Sequence, residues 1–401
     1  AKLGIYFHWG VYTVPAYSSE WYPRNMHALV SYTLTYFHHR WKYGPPSTFG
    51  YHDFVPLFTA ENFDAAEWAE LFARSGARFA GLVAEHHDGF AMWDSKATPW
   101  NVVDMGPRRD IAGELEKAIR ARGMKFVTTF HHARNLQRYR DIPNGGWDIA
   151  HIYNRWKNNQ APIISNRWSD SHYPYIEGSP PASEDPQLRL LYGNLPEDDW
   201  LERMWLGKLK EVVDVYQPDL VYFDSWLHLI PLDYRERFVV YYLEQARKWG
   251  RQVVIARKQD DLPLEYSIND FEKGRAAELT DEPWLTDDTI SRGSWSYTEN
   301  LRLKTLREIL HVFIDSVSKN GQLMLNLSPT SDGTIPQNQR DVLLGLGGWL
   351  LEYGEAVYGT RPFLVYGEGP NHLKEGGHFV DDIDYTAQDI RYTRNGDVVY
   401  A

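Results

Sequence analysis

The chain alternates between short apolar runs and amphipathic stretches. Apolar runs occupy residues 79–84, 125–130 and 220–223, and their near-continuous apolar character predicts strands that are buried on both faces. Apolar side chains recur at helical spacing over residues 64–74, before the first run, and over residues 111–123, between the first two runs. A strand that alternates with a helix in this way predicts a parallel α/β fold.

Polar side chains follow the predicted strands. His8 follows the opening strand, His86 and His87 follow the second, His131 follows the third, and Asp224 follows the strand at 220–223. In a parallel α/β barrel the carboxyl ends of the strands point into the active site. Asp224 is therefore either a catalytic carboxylate or the cap of the next helix, and its spacing alone leaves both interpretations open.

Two long segments interrupt the alternation. Residues 135–196 are rich in Pro, Gly, Ser, Asn and aromatic residues, and we expect an insertion that passes over the site. It either supplies Trp147, Trp156 or Trp168 to a ligand or packs on the surface. Residues 262–292 are predicted to form an acidic loop that follows a strand at 253–256.

The carboxyl-terminal part of the chain has a different pattern. Alternating segments joined through Asn395-Gly396 predict a β-hairpin. We therefore expect a catalytic unit over residues 1–358, and the beginning of a truncated C-terminal β-domain over residues 359–401. The chain also opens within a predicted strand, so we expect that its natural amino terminus has been trimmed.

Composition narrows the classes of function. The 401 residues carry a net charge of −12 with no long basic run, so nucleic acid is not expected as a partner. No apolar stretch is long enough to span a membrane, and the absence of cysteine excludes disulfides and thiol chemistry. Aromatic residues make up 15% of the chain, which fits either a Trp-rich core or a sugar site.

The polar clusters exclude several chemistries. Neighbouring strand residues point to opposite faces, so His86 and His87 are not expected to chelate one metal ion. Neither a phosphate-binding glycine loop nor a serine elbow is present. Carboxylates, histidines and aromatic residues at strand ends are the set that a glycosidase needs, although a sugar-binding barrel without catalysis would use the same residues.

Several separated stretches occur in a fixed order along the chain. They are Gly4-Ile5-Tyr6-Phe7-His8-Trp9-Gly10 with Glu20-Trp21-Tyr22, His86-His87-Asp88-Gly89-Phe90 with Trp93-Asp94-Ser95, the segment from Pro218 to Asp224, Val317-Ser318-Lys319-Asn320-Gly321, and Leu325-Asn326-Leu327-Ser328-Pro329 followed by Asp332-Gly333-Thr334-Ile335-Pro336. Through these stretches the sequence resembles glycoside hydrolase family 29, the retaining α-L-fucosidases, from about residue 3 to residue 362.

The resemblance implies a (β/α)8-like (TIM-type) catalytic barrel followed by the start of a C-terminal β-sandwich module. It implies that Asp224 is the nucleophile. The expected substrate-binding residues are His8, Glu20, Trp21, His86, His87, His131, Tyr222, Arg257 and Trp295. Three of these positions depart from the common family pattern, namely His131, Tyr222 and Arg257, which leaves the wider substrate open.

The acid/base residue is expected in the acidic loop. Glu272 follows Phe271, and partial desolvation there would raise its pKa and keep it protonated for acid work. Glu278 is the alternative. Asp287 and Asp288 are expected to flank a turn at Thr286–Thr289 and to make structural hydrogen bonds.

The expected function is that of an exo-acting retaining α-L-fucosidase, with no cofactor and no metal. Its expected substrate is a fucosylated oligosaccharide or polysaccharide, and by family resemblance its location is periplasmic or extracellular. Two alternatives stay open: a retaining exo-glycosidase for a related galactose-configured sugar, and a non-catalytic fucose-binding barrel. The sequence leaves open whether the chain forms a homo-oligomer.

Overall fold

The computed structural model describes residues 1–29, 32–138, 171–380 and 383–401. The predicted ligand-binding tryptophans Trp147, Trp156 and Trp168 lie outside the described residues. The predicted insertion at 135–196 is therefore seen only in part, at its two ends.

Eight parallel strands form one sheet that curves into a barrel. They are β1 (Leu3–Phe7), β2 (Phe79–Glu85), β3 (Lys125–Phe130), β4 (Leu220–Phe223), β5 (Val254–Arg257), β6 (Ile268–Asn269), β7 (Trp284–Thr289) and β8 (Gly321–Leu327). The order is β6-β5-β4-β3-β2-β1-β8-β7, and a parallel bridge between Asp270 and Leu285 joins the two edges. This arrangement confirms the predicted barrel.

Helices surround the barrel and follow the predicted alternation. They are α1 (Tyr22–Asn25), α2 (Thr33–Lys42), α3 (Ala65–Arg74), α4 (Ile111–Ala121), α5 (Pro186–Tyr192), α6 (Glu197–Asp199), α7 (Lys208–Tyr216), α8 (Leu232–Trp249), α9 (Leu306–Ser318) and α10 (Gln337–Tyr353). Asp64 caps α3 and Asp110 caps α4, while Thr305 and Glu308 form a capping box on α9. No described helix is long and apolar enough to cross a membrane.

Two apolar clusters hold the barrel together. The larger cluster lies between the strands and the helices, and the smaller one fills the barrel interior with Tyr6, Phe79, Val83, Val127, Tyr222 and their neighbours. Gly4 makes room for this filling, because a Cβ atom at that position would lie 2.0 Å from the ring of Phe79. Strands buried on both faces explain why their sequences read as continuous apolar runs.

A second, antiparallel sheet follows the barrel. It contains β9 (Arg361–Glu368), β10 (Ile390–Asn395) and β11 (Val398–Tyr400), and the predicted hairpin through Asn395-Gly396 is confirmed. The division of the chain at residue 358 into two units stays a prediction.

The acidic segment at 262–292 differs from its prediction. It is not a continuous loop, since it contains both β6 and β7. Asp287 and Asp288 lie on the buried strand β7, so the predicted turn is wrong. Structural hydrogen bonds do satisfy them: Tyr6 and Tyr222 donate to Asp287, and Lys304 donates to Asp288.

Candidate active site

The predicted polar residues meet at the carboxyl end of the barrel. His8, His86, His131 and Asp224 each follow a different strand, and all four line one cavity of about 380 Å³. The other residues that line it are Glu20, Trp21, Ser225, Trp226, Lys258, Gln259, Glu272, Asp287, Trp295 and Phe379. This is where the active site of a parallel barrel is expected.

Asp224 lies in this cavity as an ion. The Nζ atom of Lys258 contacts its Oδ1 at 2.5 Å, while Nδ1 of His131 and Nε2 of His87 lie 3.2 and 3.5 Å from its Oδ2. Burial acts to raise the pKa of Asp224, but the charge of Lys258 and the two histidine contacts outweigh it and hold the pKa well below its ordinary value. Asp224 is thus an ionised carboxylate, which is the form that a carboxylate nucleophile requires.

Lys258 brings a second carboxylate close to the first. Its Nζ atom also contacts Oε2 of Glu272 at 2.9 Å. Because Asp224 Oδ1 and Glu272 Oε2 contact one nitrogen, at 2.5 and 2.9 Å, these two oxygens are no more than 5.4 Å apart. Retaining glycosidases hold their two carboxyl groups about 5–5.5 Å apart, whereas inverting enzymes need about 6.5–9.5 Å.

Glu272 differs from Asp224 in its protonation. Burial raises the pKa of Glu272 to about 7; Lys258 opposes this shift, and the charges of Asp287 and Asp224 add to it. A large fraction of Glu272 is therefore protonated near neutral pH. The pair provides one ionised and one protonated carboxyl group, which are the two forms that double displacement requires.

Three histidines at this site, His8, His86 and His87, are neutral. Burial lowers the pKa of His8 and His86 well below the ordinary value, and it lowers that of His87 to about 3. Asn326 fixes the ring of His8 through a 2.7 Å contact between its Oδ1 and Nδ1. Neutral imidazoles can donate to and accept from sugar hydroxyl groups.

The side-chain directions of His86 and His87 differ from the expectation. We expected neighbours on a strand to point to opposite faces, but their ring centroids are only 4.5 Å apart. Strand β2 ends at Glu85, so the alternation of a pleated strand does not reach them.

Two groups of side chains at or next to the cavity have ligand atoms within 4.8 Å of one another. They are His8, His86 and His131, and His87, His131 and Asp224. A metal ion fits the second group poorly, because Lys258 already places a positive charge 2.5 Å from Asp224. The expectation that this site uses no metal stays a prediction.

Glu20, Trp21 and Trp295 close the sides of the cavity. The backbone N–H of Trp295 donates to Glu20 Oε2 at 3.0 Å, which links the loop after β1 to the loop after β7. The ring of Trp295 lies 5.3 Å from that of His8, and the ring of Trp21 lies 4.8 Å from that of His87. The cavity thus combines carboxylates, neutral histidines and aromatic faces.

Sequence comparison assigns the chain to a family. The profile described as alpha-L-fucosidase matches residues 1–355. This chain belongs to the alpha-L-fucosidase family.

Individual relatives agree with the family assignment. Rat tissue alpha-L-fucosidase is 28% identical over 376 residues, which are 92% of this chain and 70% of that protein. The human tissue enzyme is 27% identical and covers 100% of this chain and 73% of its own length. The crystal structure of Thermotoga maritima alpha-fucosidase in complex with fucose is 28% identical, with a TM-score of 0.71, and covers 100% of this chain and 80% of that one.

Four predicted residues do not line the cavity of this family member. His87 is fully buried, with its Nε2 atom 3.5 Å from Oδ2 of Asp224. Tyr222 is fully buried beneath the cavity, inside the barrel, where its hydroxyl donates to Asp287 at 3.2 Å. Arg257 points away and donates to Asn269 at 3.1 Å. Glu278 is exposed and does not line the cavity. The expectation that Tyr222 and Arg257 bind the substrate is therefore not supported, and of the two predicted acids only Glu272 is in place.

Sequence reasoning missed six residues that line the cavity: Ser225, Trp226, Lys258, Gln259, Asp287 and Phe379. Lys258 directly follows Arg257, so the prediction found the end of the correct strand but chose the neighbouring residue. Ser225 and Trp226 directly follow Asp224, so the same position after a predicted strand could have identified them. Phe379 is distant in sequence and carries no local signal.

A larger cavity of about 560 Å³ lies beside α9 and the second sheet. Its buried carboxylate, Asp315, accepts hydrogen bonds from Arg391 at 2.6 Å and Lys319 at 2.9 Å. Since this carboxylate is already neutralised by cations, Asp315 is not available as a catalytic acid or base.

Proposed function

We propose that this chain is an exo-acting retaining α-L-fucosidase that hydrolyses terminal α-L-fucosyl linkages of glycans. The observation that carries the proposal is the pair Asp224 and Glu272, whose facing oxygens are no more than 5.4 Å apart and whose protonation states differ. The family assignment supports fucose as the sugar.

The first step forms a covalent intermediate. A carboxylate oxygen of Asp224 attacks the anomeric carbon and the bond to the leaving oxygen breaks, while Glu272 donates its proton to that oxygen. The product of this step is a β-linked fucosyl-enzyme. Lys258 stays between the two carboxyl groups, and it stabilises Glu272 once that residue has become an anion.

The second step reverses these roles. Glu272, now ionised, takes a proton from water, and the water oxygen attacks the anomeric carbon and displaces Asp224. The sugar leaves with its original configuration. The neutral histidines His8, His86 and His87, together with His131 and Glu20, provide hydrogen-bonding groups for the fucose hydroxyls, and Trp21 and Trp295 provide aromatic faces.

One experiment tests the activity and the mechanism together. The enzyme is dialysed against a chelator and then assayed with an aryl α-L-fucoside and with the matching aryl galactoside. We expect release from the fucoside, with α-L-fucose as the first product seen by NMR before mutarotation. First release of the β-anomer contradicts retention, preference for the galactoside contradicts fucose, and no release from either supports a binding barrel.

A further inference from the structure

One wall of the cavity comes from the segment Gly376–Val380, between β9 and β10, which follows Glu272 by about a hundred residues. This segment pairs with the backbone around Glu272. Phe379 N–H donates to the carbonyl of Glu272 at 2.8 Å, and Val380 N–H donates to that of Lys273 at 3.2 Å. The Nδ1 atom of His378 accepts from the Glu272 N–H at 2.9 Å.

The contact between the two segments is close. Arg275 and Gly377 form an antiparallel bridge with backbone hydrogen bonds of 3.2 and 3.0 Å. A Cβ atom at Gly274 would lie 1.8 Å from the carbonyl oxygen of Gly377, so only glycine permits this approach. The position of Phe379 is thus fixed relative to the predicted acid/base residue.

Phe379 itself is unusual in two respects. It has a φ of 52°, a left-handed conformation that is unfavourable for a bulky residue, and its side chain remains 63% exposed while it lines the cavity. Glycine or asparagine would adopt this backbone at lower cost. Burial does not explain the aromatic ring either, because most of the ring faces solvent.

The ring lies where a leaving group must pass. Glu272 has to reach the oxygen that joins the fucosyl unit to the rest of the glycan, so groups at the cavity mouth next to Glu272 border that glycan. The other aromatic residues of the cavity are more enclosed: Trp295 is buried, and Arg134 stacks over Trp226 at 4.2 Å. Phe379 presents an open aromatic face, which suits the C–H face of a pyranose.

We propose that Phe379 is the binding platform for the leaving-group sugar, so that the segment Gly376–Val380 builds a subsite next to the fucose pocket. This inference rests on the proposed function. It assigns a pyranose ring, rather than an alkyl or aryl group, as the ligand that the subsite selects.

The test compares two substrates and uses a variant that keeps the backbone. Phe379→Asn tolerates the left-handed conformation and retains the N–H that Glu272 needs, but it lacks the ring. Fucosyl fluoride has no sugar leaving group, whereas a fucosyl disaccharide has one. The disaccharide used is the one that the parent enzyme cleaves fastest.

We expect kcat/KM for the disaccharide, relative to that for fucosyl fluoride, to fall about tenfold in Phe379→Asn, mainly through KM. Phe379→Trp should restore the ratio. The control is Trp41→Ala, which removes an 81% exposed aromatic residue on α2 that does not line the cavity, and it should leave the ratio unchanged.

Three outcomes overturn the platform while leaving the fucosidase intact. They are equal loss on both substrates, no loss on either, and a parent enzyme that hydrolyses the fluoride but none of the disaccharides. A parent enzyme that is inactive on fucosyl fluoride contradicts the proposed function itself.

Discussion

Two buried charge clusters in this protein are built in opposite ways. Around Asp315, three cations from different segments surround one carboxylate: Arg391, Lys319 and Arg275 lie 2.6, 2.9 and 3.4 Å away. Around Lys258, one cation contacts three carboxylates, those of Asp224, Glu272 and Asp287, at 2.5, 2.9 and 3.6 Å. We call these the Asp315 cluster and the Lys258 cluster.

The balance of charge decides what each cluster can do. Burial acts to raise the pKa of Asp315, but the cations hold it below the ordinary value, so this carboxylate does not exchange protons near neutral pH. In the Lys258 cluster, one cation cannot neutralise three buried carboxylates. The pKa of Glu272 is therefore raised to about 7, and Glu272 stays largely protonated below that pH. An excess of cations stabilises structure, whereas an excess of carboxylates makes a proton available for catalysis.

The largest effect should follow from removing the ionised member of the Lys258 cluster. Asp224→Gly deletes the carboxylate proposed as the nucleophile and leaves a cavity, and turnover of an aryl α-fucoside should fall on the order of 10⁴-fold or more. Azide fits that cavity and attacks from the same face, so the product should be the inverted β-fucosyl azide. Steady-state rates and NMR of the azide product measure both effects.

The matched control for this variant is Asp219→Asn, because Asp219 precedes the opposite end of the same strand, where it pairs with Arg120 at 2.7 Å. It should change kcat little. A retained product or near-normal turnover in Asp224→Gly would remove the nucleophile assignment.

The next effect should follow from removing the protonated member. In Glu272→Ala, cleavage of a fucosyl oligosaccharide should fall about 10²–10⁴-fold, since its leaving group needs a proton. The first step on an aryl fucoside with a good leaving group should be nearly unaffected, and azide should give the α-fucosyl azide. Glu278→Ala is the comparison, and it should behave like the parent because Glu278 lies outside the cavity.

The same pair of variants gives a pH test. The acid role proposed for Glu272 requires its protonated form, so kcat/KM of the parent should decline above the Glu272 pKa of about 7, about tenfold per pH unit. Glu272→Ala should lose this alkaline limb. If Glu278→Ala instead loses activity selectively on the oligosaccharide and no longer shows the decline of kcat/KM at alkaline pH, Glu278 is the acid/base residue.

The sequence predicts the residues of the active-site cavity mainly where the rule for parallel barrels applies. His8, His86, His131 and Asp224 were found because parallel strands bring their carboxyl ends together. That rule gives the end of a strand but not the direction of each side chain. Strand β5 ends one residue later than predicted, and Lys258 rather than Arg257 enters the cavity.

Two other features had no usable signal. Strand β7 contains two aspartates, and its sequence lacks an apolar pattern because Tyr6, Tyr222 and Lys304 satisfy these carboxylates inside the fold. Phe379 reaches the cavity through backbone pairing between segments about a hundred residues apart. Contacts of this kind depend on the assembled fold and leave no local trace in the sequence.

The smallest effect on catalysis should come from the Asp315 cluster. Asp315→Asn leaves three buried cations without their counter-charge, so the free energy of unfolding should fall by about 3–5 kcal/mol at neutral pH. The rate per folded molecule should stay close to that of the parent, because the cluster does not contact the cavity. Urea denaturation and active-site titration separate these two quantities.

The pH dependence of the loss of unfolding free energy in Asp315→Asn gives the sharpest test of the comparison between the two clusters. The pKa of Asp315 is lowered in the folded protein, so its stabilising effect is present above the unfolded pKa of about 3.9 and disappears as pH falls through the lower folded value. The difference in unfolding free energy between parent and Asp315→Asn should therefore be constant from pH 5 to 8 and shrink below about pH 4. Glu202→Gln, which breaks an exposed pair with Arg237, should cost less than about 1 kcal/mol. Two results would contradict the comparison: a loss of unfolding free energy in Asp315→Asn as small as in Glu202→Gln, or a fall in kcat together with stability. Either result would mean that the Asp315 cluster does not serve stability alone.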